Sequence, residues 1–145
     1  MIPAWDANDN LPPGIHSATW NELEQHLGFN PKRQRLLDGL RRAIDALRVA
    51  GCEDLFVDGS FITKKPLPGD FDACWSINNV DPALLDPVLI DFSQGRAAQK
   101  QKYLGELFPA QWPADAAGTV FIDFFQQDRN GNPKGVLHLD LRRWP

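Results

Sequence analysis

Apolar residues recur at three- and four-residue intervals at Leu36, Leu37, Leu40, Ile44 and Leu47, a spacing that places them on one face of a helix. Asn30-Pro31 supplies an N-cap and a first-turn proline, and Gly51 a C-terminal stop, so the helix is predicted over about 31–50. Its other face carries Lys32, Arg33, Arg35, Arg41, Arg42 and Arg48, read either as a solvated face or as a patch for RNA or an acidic partner. Upstream, Thr19-Trp20-Asn21-Glu22 is a capping box that opens a shorter helix ending near Leu27. Residues 1–16 contain Pro3, Pro12, Pro13 and Gly14 without an apolar period. They read as an extended N-terminal arm before a single domain over 17–145.

Beyond Gly51 the pattern shifts toward short apolar runs bounded by turn residues. Strands are predicted at about 54–58, 70–75, 119–126 and 135–141, the last two joined by a hairpin turn with Asn130-Gly131 at its tip. Asp81-Pro82 opens a helical turn or two that Pro87 limits, and a further helix is predicted from Ser93 to about Leu107. Together these elements predict an α+β fold. Its mixed, mainly antiparallel sheet has about four or five strands, with helices chiefly on one face.

At 145 residues, with 43% hydrophobic and 23% charged residues, the chain has the length and composition of one globular domain. A net charge of −4 argues against sequence-independent nucleic-acid binding, which depends on phosphate neutralisation, but leaves room for a local basic groove. No apolar run approaches the roughly 20 residues that span a bilayer, and no secretory leader pattern is present. Cys52 and Cys74 lack metal-ligand spacing and read as free thiols, so a cytoplasmic location is expected.

The chemistry concentrates between Leu55 and Trp75. Asp70 and Asp72 alternate along a strand and so project to one face, and two neighbouring carboxylates repel unless a cation sits between them. Magnesium, a hard cation that also binds substrate phosphates, is the expected occupant. The Gly59-Ser60 turn offers close backbone approach and exposed donors for phosphate oxygens.

Gly59-Ser60, nine residues and then Asp70-Phe71-Asp72 resembles the signature of the DNA polymerase β-like nucleotidyltransferase superfamily. The resemblance spans Asp58 to Trp75 and is greatest to the minimal nucleotidyltransferases, many of which belong to bacterial toxin–antitoxin modules. It implies that Gly59 and Ser60 hold a nucleoside triphosphate and that Asp70 and Asp72 bind two catalytic Mg2+ ions. It also implies a third carboxylate on a later strand, and Asp123, in an apolar run, is expected to fill that role as a metal ligand and general base. The alternative is that Asp123 pairs with Arg129, Arg142 or Arg143. Arg96 and Lys100, one turn apart on a predicted helix, are expected to support the triphosphate. Two features depart from the signature: Asp58 occupies a position that is normally apolar, and Phe61, Thr63, Lys64 and Lys65 replace a small-residue, arginine-containing run.

The expected function is therefore Mg2+-dependent transfer of a nucleotidyl group from a nucleoside triphosphate to a hydroxyl. The acceptor is expected on a partner protein or an RNA end, with the chain one component of a toxin–antitoxin module. The competing expectation is a binding protein that keeps this fold with its chemistry weakened. Neither the base, the oligomeric state nor a toxin or antitoxin role is specified by the sequence.

Overall fold

The two predicted N-terminal helices form as their caps dictate. In α1 (Trp20–Leu27) the Thr19 side chain accepts the Glu22 amide while the Glu22 carboxylate accepts the Thr19 amide. In α2 (Pro31–Val49) Asn30 Oδ1 accepts the Arg33 amide and Pro31 occupies the first turn. The computed structural model describes residues 1–145.

Five strands follow the chain as β1 (Gly14–Ser17), β2 (Asp54–Asp58), β3 (Phe71–Trp75), β4 (Gly105–Pro109) and β5 (Gly135–Asp140). They lie in the order β1-β5-β2-β3-β4. The β5-β2 and β2-β3 pairings at the centre are antiparallel, and the outer β1-β5 and β3-β4 pairings are parallel. The fold is α+β with a mixed sheet, as the pattern of elements predicts.

Leu36, Leu40, Ile44 and Leu47 of α2 are buried in one core with Leu55, Val57, Ala73, Leu107, Leu137 and Leu139 from one face of the sheet. Each such side chain contributes about 1.5–3 kcal/mol by leaving water. A third helix, α3 (Ser93–Tyr103), ends against α2 at Gly39, where a Cβ would collide with the Tyr103 carbonyl. The opposite sheet face carries a smaller cluster of Cys74, Ala110, Phe125 and Val136, extended by Phe56, Phe108, Phe121 and Ile122.

Three predicted segments differ. Residues 119–126 are not a strand: Phe121–Phe124 form a short helix, α4. The i,i+4 pair Phe121 and Phe125 packs over Phe108, with Phe108 and Phe121 stacked at 4.3 Å, so covering the sheet outweighs β-propensity. The predicted helix over 93–107 is broken at its start, where Gln94, Gly95 and Arg96 are left-handed (φ 51°, 63° and 63°), and stops at Tyr103, where Leu104 turns left-handed (φ 64°) and releases the chain into β4. The arm over 1–16 is built into the domain: Leu11 is buried, and Gly14 already belongs to β1.

Candidate active site

Strand β2 delivers Asp58 to a turn that only glycine suits. Gly59 has φ 84°, and a Cβ there would overlap Asp72 Oδ2, so the Asp72 carboxylate lies directly against its backbone. A single 3-10 turn over Ser60–Ile62 follows, and the chain then runs across the surface to Asp70. This loop is held from below by Arg33, which is fully buried. Its guanidinium donates to the carbonyls of Leu27 (3.2 Å), Phe61 (2.6 Å), Thr63 (2.6 Å) and Lys65 (2.6 and 3.1 Å). Burial alone pushes Arg33 down to about 10. Asn30 Nδ2 and Trp5 Nε1 add bonds to the Pro66 and Ile62 carbonyls. The loop that departs from the signature is thus fixed by α2 and the N-terminal arm. Arg33 itself does not belong to a solvated basic face.

Sheet register then lines up three carboxylates. Asp58 pairs with Asp72 across β2 and β3, and Asp72 pairs with Glu106 across β3 and β4, so all three project from one face. The outer two are tied to cations. Lys134 Nζ lies 3.2 Å from Asp58 Oδ2, and Arg96 and Lys100 both lie 3.1 Å from Glu106 Oε1. Asp72, in the middle, has no basic partner. Burial, the Asp70 charge and a hydrogen bond with Glu106 push its carboxyl up to about 7. Asp70, half-buried, is also raised, by burial first and then by Glu106, while Lys100, Lys32 and Arg96 oppose the shift.

A cleft of about 850 Å³ opens over this row. Asp58, Gly59, Ser60, Asp72 and Glu106 line its floor, Lys65, Arg129 and Lys134 bring cations, and Phe108, Phe121, Phe124 and Phe125 form an aromatic wall. The structure therefore brings Gly59, Ser60 and Asp72 together in the cleft lining; Asp70 lies outside that lining and acts on Asp72 through its charge. Arg96 and Lys100 do not line the cleft; they neutralise Glu106 instead. Asp123 lies in α4, exposed and outside the cleft lining, and makes none of the three expected arginine pairs. The carboxylate that takes a neighbouring strand position is Glu106, which the sequence pattern conceals because it continues a helix through β4.

The donor chemistry suits magnesium, with Asp70 and Asp72 as paired carboxyl oxygens and Asp72 driven toward neutrality when no cation is bound. Glu106, drawn toward Arg96 and Lys100, does not close with the aspartates around one point, and no group of three His, Cys, Asp or Glu side chains is arranged to hold an ion.

No helix is long and apolar enough to cross a membrane. No curated protein and no solved structure is found to match the chain. A family model does match, over residues 3–140, and its description is a family of unknown function, DUF6932. The match covers nearly the whole domain, from the arm through β5, and the chain belongs to that family.

Proposed function

We propose that the protein is a Mg2+-dependent nucleotidyltransferase that uses Asp70 and Asp72, rather than Asp123, as its metal-binding carboxylates, with Glu106 as the neighbouring acid that Arg96 and Lys100 hold beside Asp72. The observation that carries this reading is the Asp72 carboxyl packed on Gly59 at the floor of a cleft, without a basic partner between two charge-compensated acids. A half-buried carboxyl without a cation is costly, and a nucleotide-bound metal ion relieves that cost. Bound Mg2+ supplies charge stabilisation at the phosphates and activation of the acceptor hydroxyl. The chain's own residues hold the substrate: Gly59 and Ser60 approach the phosphates, Arg33 keeps their loop rigid, and the aromatic wall faces the base or the acceptor. In the transfer the acceptor oxygen bonds to the α-phosphorus, the bond to the β-phosphate bridging oxygen breaks, pyrophosphate leaves, and the acceptor proton passes to a cleft carboxylate. The acceptor class is a hydroxyl of a partner protein or an RNA end, with a toxin–antitoxin setting.

A second reading, a binding protein of the same fold with weakened chemistry, is favoured by Glu106 being engaged by two bases. Incubation with nucleoside triphosphates labelled at the α- or the γ-phosphate separates the two. Retention of α-label but not γ-label on protein or RNA is expected, lost in Asp72→Asn, reduced at least tenfold in Glu106→Gln and unchanged in Asp123→Asn. Absence of α-label transfer from all four triphosphates, with candidate partner protein and RNA supplied, favours the binding protein.

A further inference from the structure

We propose that Lys134, held in place by the buried Asp58, is the residue that grips the terminal phosphates of the nucleotide; this rests on the nucleotidyltransferase reading. Asp58 is only 4% exposed, and its Oδ1 is buried without a hydrogen-bond partner. A buried carboxylate at the end of a strand is tolerated only with a compensating cation, and Lys134 provides it at 3.2 Å from Oδ2. Burial raises the Asp58 carboxyl, while the Lys134 charge opposes that shift.

The pair sits where a phosphate would need it. Asp58 immediately precedes Gly59-Ser60, and both members line the cleft. The other two cations of the cleft, Lys65 and Arg129, are exposed and have no anionic partner. Lys134 alone is anchored to the sheet. Its amide donates to the Gln126 carbonyl at 2.9 Å, closing the Gln126–Lys134 loop, and the next residue begins β5. Its side chain is 24% exposed, so the ammonium retains access to the cleft while bound to Asp58.

An ammonium has three donors, and one bond to Asp58 leaves two for phosphate oxygens. Asp58 thus acts as a positioning residue, keeping Lys134 in the cleft beside the strand end that leads into Gly59-Ser60. Arg96 and Lys100 are committed to Glu106 at the other side of Asp72. The departure of Asp58 from the apolar residue expected at this position then has a physical purpose.

Calorimetric titration in Mg2+ buffer, with ATP, inorganic tripolyphosphate and AMP as probes, tests this. Lys134→Met is expected to weaken ATP and tripolyphosphate roughly tenfold, the scale of a lost charge-assisted hydrogen bond, and AMP less than twofold. Lys134→Arg is expected to recover most of that loss. Because Lys134→Met strands a buried carboxylate, the neutral pair Asp58→Asn with Lys134→Met serves as the folded control, and it should lose tripolyphosphate to the same degree. Wild-type affinity for tripolyphosphate in either Met variant overturns the assignment, as does an equal loss for AMP. A wild-type protein that binds neither ATP nor tripolyphosphate overturns the nucleotidyltransferase reading itself.

Discussion

At the scale of residues, Asp72 is the group on which the site turns, and its electrostatics have a measurable signature without metal. A carboxyl raised from its ordinary 3.8 to about 7 binds a proton more tightly in the folded chain than in the unfolded one. Its stabilising contribution is therefore complete below about pH 4 and is lost as the pH rises toward 7. Asp58 and Asp70 are shifted in the same direction, each chiefly by burial. Glu106 is shifted the other way: burial would raise it, but its bonds to Lys100, Arg96 and Asp72 outweigh that, and this contribution fades only as the pH falls into the acid range. In chelator, the urea midpoint of the wild type should thus decline between about pH 4 and pH 7. Asp72→Asn should flatten the decline and exceed the wild type at neutral pH, by up to a few kcal/mol. Identical pH profiles for the two proteins would show that Asp72 is not strained in the metal-free state.

At the scale of elements, the Gly-Ser loop depends on α2 rather than on its own sequence. Arg33 gives five hydrogen bonds to four carbonyls, three of them in the loop, and packs its guanidinium 4.4 Å from the Phe29 ring centroid. Arg33→Met should cost on the order of 3 kcal/mol, because several buried carbonyls lose their donors at once. Hydrogen exchange over 61–65 should rise with it, and Arg33→Lys should rescue little, since an ammonium cannot reproduce the planar fork. An unchanged melting temperature would remove Arg33 from this role. From the sequence, Arg33 is one of six basic residues on α2, and nothing local separates it from its neighbours. Its burial is decided by loop carbonyls some 30 residues away. By contrast β2, the Gly59-Ser60 turn and β3 are legible, because alternation and turn chemistry are local signals. Strand β4 is hidden because Leu107 continues the helical spacing from Tyr103, and the left-handed position that ends the helix is taken by Leu104 rather than by Gly105 beside it. With β4 hidden, Glu106 is hidden as well. Asp123 stands out in its place because Val120, Phe121, Ile122, Phe124 and Phe125 favour a strand in isolation, whereas packing on Phe108 selects a helix.

At the scale of the whole molecule, the sheet divides the labour between its faces. One face buries the α2 stripe in the large core, and the other carries the carboxylate row, the aromatic wall and the cleft. The mixed pairing matters here. Antiparallel β2-β3 sets Asp58 beside Asp72, and parallel β3-β4 sets Glu106 on the far side, so the three acids form one row only because of this topology. The central claim is that the cleft takes a nucleoside triphosphate through a divalent cation. Titrating ATP, GTP, CTP and UTP into the wild type and Asp72→Asn by calorimetry, with Mg2+ and then with chelator, tests it most directly. The account predicts binding of at least one triphosphate by the wild type with Mg2+ only, and a loss of at least tenfold in the variant. Equal binding with and without Mg2+, or no binding of any of the four, would contradict it.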